Sequence, residues 1–214
     1  MKVIVTRPAG QAGPLAEAIE ALGHEVVRCP VLEIEPIGEG PIDTTGYDWV
    51  VVTSVNGAIE FARRRAGPLP RVAAVGPGTA QTLVDHGIEP HLVPSVSTQE
   101  GLVEELPRPH GRVLFAGAEG ARRFLVEALG ADFAPLYRTV AVRPKVKPEG
   151  ELVVLASASA AQAFAELARD VPAVSIGPQT TRAALDAGLD VVSEADSHDL
   201  DGLVSAVSVA AARR

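Results

Sequence analysis

The chain has 214 residues but only one cysteine, Cys29, and three lysines, Lys2, Lys145 and Lys147. A single cysteine excludes an intramolecular disulfide and any cysteine-rich metal site. The five histidines, at positions 24, 86, 91, 110 and 198, make no ligand spacing with one another or with nearby carboxylates, so no metal is expected. No lysine falls in a glycine-rich turn, which leaves a Schiff base without a candidate. GxxxxGK[ST], a dinucleotide glycine fingerprint and a GxSxG elbow are all missing, which disfavours nucleotide phosphate loops and triad chemistry. Long apolar runs are missing too. Trp49 to Val52 and Leu152 to Ala156 are strand-sized, well short of the roughly 18 residues that suggest a membrane span. Met1 leads straight into KVIV with no signal-peptide layout, so a cytoplasmic protein without membrane attachment is expected. The formal net charge is -8, and the one dense basic stretch, Arg63 to Arg65, sits where a helix should end, which argues against nucleic-acid binding.

What is present is apolar material: 47% hydrophobic against 21% charged residues, enough for a folded core in one large or two small domains. β-branched runs of about five residues alternate with helices that open on Ser, Thr or Gly and close near Gly, the pattern of an α/β protein with a parallel sheet covered on both faces. The chain also repeats itself. VIVTRPAGQAGPLAEAIEALG from Val3 matches VLFAGAEGARRFLVEALG from Val113, and CPVLEIEPI from Cys29 matches APLYRTVAV from Ala134. VTSVNGAIEF from Val52 matches LASASAAQAF from Leu155, Gly76-Pro77 matches Gly177-Pro178, and STQEGLVEEL from Ser97 matches HDLDGLVSAV from His198. Elements that recur in one order at slowly drifting offsets indicate an internal duplication. Cys29, opposite Ala134 in the repeat, reads as a small core residue.

Five turns stand out. TSVNG (53–57), GPGT (76–79), GAEGAR (117–122), SAS (157–159) and GPQTT (177–181) each follow a strand and are expected to open a helix. The carboxyl ends of parallel strands are where such folds bind ligands, because helix N-termini offer free N–H groups and a partial positive charge. Ser and Thr also cap helices in any α/β protein, so each turn has a purely structural reading. Five together favour a polar or anionic ligand held by backbone amides. The candidates are Thr53, Ser54, Asn56, Gly76, Thr79, Ser157, Ser159, Gly177 and Thr180, with Arg7, Arg122, Arg138 and Arg182 as the nearest cations. Thr79 and Thr180 have a capping role as the alternative.

VTRP (5–8), TSVNGA (53–58), AVGPGTA (74–80), STQEGL (97–102), LYRT (136–139) and SIGPQTTRAAL (175–185), in this order, resemble uroporphyrinogen-III synthase nearly end to end. That resemblance implies two flavodoxin-like domains joined by a two-strand linker, from a duplication with exchanged halves. Residues 1–35 plus 145–214 would form the first domain and 38–140 the second, with crossings near 32–37 and 139–144. The implied activity is cofactor-free cyclisation of the linear tetrapyrrole hydroxymethylbilane to uroporphyrinogen III, with inversion of ring D, in a cleft between domains. Tyr137 matches the family's active-site tyrosine; the repeat places Leu32 opposite it, so the fold itself does not demand a hydroxyl there. Tyr47, before a strand, reads as a packing residue. The implied partners are the small-molecule substrate and hydroxymethylbilane synthase as its source, with the protein acting as a monomer. The chain departs from the family in lacking proline in VTSVN and LASAS, and in having no arginine directly before Gly117. A non-catalytic tetrapyrrole-binding or sensory module and an enzyme of phosphorylated or nucleotide-sugar substrates are the competing readings.

Overall fold

The structure, a computed structural model, describes residues 1–213. Its first strand, β1 (Lys2–Val5), is the apolar KVIV run, followed by a single 3-10 turn at Ala9–Gln11 and by α1 (Gly13–Ala21). Helix α1 ends where Gly23 takes a positive φ of 82°, a backbone turn that side chains with a Cβ resist. Strands β2 (Glu25–Arg28), β3 (Leu32–Pro36), the two-residue β4 (Ile42–Asp43) and β5 (Trp49–Val52) follow. Then come α2 (Val55–Arg64), β6 (Arg65–Ala66), β7 (Arg71–Ala74), α3 (Pro77–Asp85) and α4 (Gln99–Glu105). The middle of the chain closes with β8 (Val113–Ala118), α5 (Phe124–Leu129) and the long β9 (Asp132–Ala141). The last part alternates β10 (Leu152–Leu155), α6 (Ala158–Ala165), β11 (Ala173–Ser175), α7 (Pro178–Asp186), β12 (Val191–Glu194) and α8 (Leu200–Ala212). As the sequence pattern anticipates, this is an α/β protein built on parallel sheets. Arg63 and Arg64 lie in the last turn of α2, where cations oppose the helix dipole favourably.

The chain forms two compact units. Unit 1 holds Met1–Glu33 and the chain from Val140 onward; unit 2 is Ile34–Thr139. Unit 1 has a five-stranded sheet in the order β2-β1-β10-β11-β12, with every neighbouring pair parallel. The central strands β1 and β10 are apolar on both faces, as a sheet with two covered faces requires. One face packs Ile4, Val153 and Leu155 with Phe164 and Ala184 of α6 and α7; the other packs Val3, Val5 and Val154 with Leu15, Ile19, Leu203 and Val207 of α1 and α8. Cys29 is buried in the first of these layers. The strand order reverses direction between β1 and β10, so the carboxyl ends of those two strands flank the topological switch point where ligands bind in doubly wound sheets.

Unit 2 has the order β3-β9-β8-β5-β7, in which β5 runs parallel to β7 and β8, and β8 parallel to β9. Phe61 and Leu83 of α2 and α3 cover one face; Leu102 and Leu125 of α4 and α5 cover the other. Here the switch point lies between β8 and β5. The edge strand β3 is antiparallel to β9: the Ile37 N–H donates to the Leu136 carbonyl, and the Val142 N–H donates to the Val31 carbonyl. The chain passes between units at Glu33–Ile34, within β3, and at Thr139–Val140, within β9.

Candidate active site

At the switch point of unit 2, β5 ends and Ser54, in extended backbone, becomes the N-cap of α2; its Oγ accepts the Gly57 N–H at 3.0 Å. The same Oγ lies 2.9 Å from the hydroxyl of Tyr137. Tyr137 reaches this position through a β-bulge. Gly117 pairs with Pro135 but Ala118 pairs with Tyr137, which leaves Leu136 as the extra residue on β9. Pro135 has no N–H to give a ladder, and a bulge re-aims the side chains that follow it. Leu136 and Tyr137 are therefore buried in succession, where a regular strand alternates. The result is a hydrogen-bonded chain from the Gly57 amide through Ser54 to the phenol, anchored on the positive end of α2. Thr53 and Asn56 are half-buried neighbours of Ser54, Asn56 in the first turn of α2.

The other turn of unit 2 is built differently. Gly76 is the N-cap of α3, Pro77 its first residue, and no side chain caps the helix. A Cβ on Gly76 would lie 2.7 Å from Ser97 Oγ and 3.0 Å from Ser97 Cβ, so glycine is required by close packing. Gly78, by contrast, is exposed with open space around it. Unit 1 repeats this arrangement. Ser157 caps α6 by accepting the Ala160 N–H at 3.1 Å, while Gly177 and Pro178 open α7 without a side-chain cap. His198 takes the place of Ser97, its ring 2.7 Å from where a Gly177 Cβ would be. Ser159 is exposed in the first turn of α6. No tyrosine accompanies Ser157: Leu32, which the repeat aligns with Tyr137, belongs to the unit 1 core.

Thr79 and Thr180 make no cap. Each is buried as the third residue of its helix, because proline at the first helical position sets the N-cap back at the glycine. The 117–122 turn also differs from expectation: β8 continues through Ala118 and the six-residue α5 begins only at Phe124, so this turn does not open a helix directly. Tyr47 packs in unit 2 as expected, with its hydroxyl donating to Asp132 and its ring beneath the Arg112 guanidinium.

Among the expected cations, three already face carboxylates. Arg122 holds Glu100 in two hydrogen bonds, at 2.8 and 3.1 Å, which keeps that carboxyl below the usual range; Arg138 meets Glu35 at 2.9 Å, and Arg182 lies 3.9 Å from Asp186. These pairs are exposed, and exposed pairs are weak enough to exchange for another anion. Arg7 has no ion pair among the described residues. It follows β1 at the switch point of unit 1, its Nε is buried without a hydrogen-bond partner, and burial lowers its pKa. A desolvated cation in that state is suited to an incoming carboxylate. Ser97, His198 and the buried, unpartnered Oε1 of Gln99 were not singled out from the sequence. The signal was there in the aligned STQEGL and HDLDGL segments, which begin on Ser97 and His198.

A family model described as Uroporphyrinogen-III synthase HemD matches residues 13–205. The chain belongs to the uroporphyrinogen-III synthase family. A uroporphyrinogen-III synthase from Synechococcus elongatus is 28% identical over 247 residues, covering 96% of this chain and 93% of that protein. A putative uroporphyrinogen-III synthase from Methanocaldococcus jannaschii is 27% identical over 210 residues, covering 85% and 88%. A crystal structure of a mutant uroporphyrinogen III synthase from Thermus thermophilus aligns over 100% of both chains with a TM-score of 0.63 at 16% identity, a likeness of fold. In this member of the uroporphyrinogen-III synthase family, no group of histidine, cysteine and carboxylate side chains among the described residues could hold a metal ion, and no described helix is long and apolar enough to cross a membrane.

Proposed function

We propose that the chain is a cyclising lyase that converts hydroxymethylbilane to uroporphyrinogen III, releasing water and inverting ring D. Beside family membership, the observation that carries this reading is the Gly57–Ser54–Tyr137 hydrogen-bond chain at a switch point. The reaction begins when the ring A hydroxymethyl group loses its hydroxyl, which needs a proton or a hydrogen bond on the departing oxygen. With the Tyr137 O–H turned to that oxygen, Ser54 donates to the phenol oxygen while accepting from the Gly57 amide. Charge developing on the phenol is then shared with the N-terminus of α2. A phenol with a pKa near 10 is a weak acid, so its contribution is modest.

The azafulvene left by ring A is attacked by the substituted carbon of ring D, giving a spiro intermediate; fragmentation and reclosure leave ring D inverted. The protein supplies a folded substrate pose and exclusion of water from a reactive cation. The substrate carries eight carboxylates and the chain carries net charge -8, so binding depends on local donors. Arg7 and the uncapped starts of α3 and α7 fit that role, an open helix end being worth about 0.3–1 kcal/mol to an anion. Free hydroxymethylbilane closes unaided to isomer I, which favours direct supply from hydroxymethylbilane synthase.

The test is to give purified protein freshly generated hydroxymethylbilane, oxidise the products and resolve uroporphyrin isomers by chromatography. Predominant isomer III is expected. Isomer I alone, at the rate of the protein-free control, would replace this reading with a tetrapyrrole-binding module.

A further inference from the structure

The chain is acidic overall, yet all three of its lysines line one cavity. This cavity, of about 590 Å³, lies in unit 1 along the edge strand β2 and the irregular segment 142–149. Lys2, Arg28, Arg143, Lys145 and Lys147 contribute five cations to its lining, against the single carboxylate of Glu149. Val27, Pro30 and Val142 add apolar wall. Three of the cations reach carboxylates outside the lining: Lys2 to Glu25 at 3.6 Å, Arg143 to Glu166 at 2.6 Å and Lys147 to Asp170 at 3.1 Å. Arg28 and Lys145 make no ion pair among the described residues. Within unit 1 the cavity borders β2, whereas α7 opens after β11, three strands away in the same sheet.

We propose that this cavity is a second binding site, for a polycarboxylate carried on a flat apolar ring system. Lys2 pairs in register with the first residue of β2 and Arg28 is its last, so the cations bracket a strand roughly 10 Å long at about 3.3 Å per residue. A ligand that meets both ends needs anionic groups spread around an apolar body. Bare phosphates are usually cradled by backbone amides at helix N-termini or nests, and this lining consists of side chains on an edge strand and a proline-rich segment. Naming a porphyrin-type polycarboxylate as the ligand rests on the proposed function; the site itself does not. Its role there is to hold product or waiting substrate away from the reacting turns.

The probe is uroporphyrin I, followed by its own fluorescence at low salt, with inorganic triphosphate as competitor. Wild-type protein is expected to bind two equivalents. Lys145→Glu/Lys147→Glu and, from the opposite wall, Arg28→Glu should each weaken one equivalent at least tenfold and leave isomer III formation unchanged, while triphosphate displaces neither equivalent efficiently. Unaltered stoichiometry and affinity in both variants would overturn the proposal, as would triphosphate clearing the variant-sensitive equivalent at the concentration that uroporphyrin needs. A protein that makes no isomer III, but whose variants still lose one equivalent, would end the cyclisation reading and keep the site.

Discussion

Gly76 in unit 2 and Gly177 in unit 1 are each the N-cap of a nine-residue helix, each precede a proline, and are each pressed by the residue just before another helix N-cap. The pressing residue is Ser97 in one and His198 in the other. The difference is larger one turn away. Ser54 and Ser157 cap α2 and α6 in the same way, yet among the described residues Ser54 alone of the two carries a second hydrogen bond, to Tyr137. Glycine and proline at one kind of strand–helix turn, and a capping serine at the other, are thus what these turns need in order to fold. The phenol, and the bulge that delivers it, exist in one unit alone and are what chemistry adds.

The strongest check on the shared part is Gly101→Ala beside Gly202→Ala. A Cβ at either position would land against a backbone carbonyl oxygen, of Val96 and Ser197 respectively, so both should be destabilised by about 1–3 kcal/mol, read as a fall in Tm of several degrees. A loss in one unit only would break the equivalence. The unshared part is checked by Ser54→Ala beside Ser157→Ala. Each should lose a cap worth about 0.5–2 kcal/mol, but only Ser54→Ala should slow isomer III formation, about tenfold when compared at equal folded fraction. Equal slowing by both would mean that the Tyr137 partnership is incidental.

A smaller contrast separates the caps of α4 and α8. Thr98 accepts the Gly101 N–H, and Asp199 accepts the Gly202 N–H, a bond that holds its carboxyl below the usual range, with help from Ser197. A depressed carboxylate stabilises the folded state above its unfolded pKa of about 3.9, and that contribution disappears as pH falls through the folded value. Asp199→Ala should therefore lower Tm at pH 7, with a deficit that shrinks as pH falls below the ordinary carboxylate range, while the deficit of Thr98→Ala stays constant with pH. Tm measured across that range for both variants decides it.

Much of this was legible in the sequence because it is local. KVIV, WVVV and LVVL announce strands buried on both faces, and a serine followed by a helix announces its cap. The Thr79 and Thr180 positions were harder. Threonine near a helix start suggests a cap, but the proline two residues earlier is the first helical residue, which fixes the N-cap at the glycine before it and leaves threonine inside. What the sequence could not carry was long-range geometry. Ser54 and Tyr137 are 83 residues apart, and the bulge that joins them is marked only by Pro135. The sequence offers Arg7, Arg122, Arg138 and Arg182 as equivalent nearby cations, yet in the fold the last three face carboxylates, whereas Arg7 lacks a partner for its buried Nε.

The most direct test of the central claim, that the unshared phenol serves the reaction and the shared turn serves the fold, is the initial rate of isomer III formation by Tyr137→Phe against wild type at matched folded concentration. The hydrogen-bond chain predicts a rate lower by several-fold to a few hundred-fold, with isomer I accumulating and Tm almost unchanged. An unchanged rate and isomer ratio would contradict it.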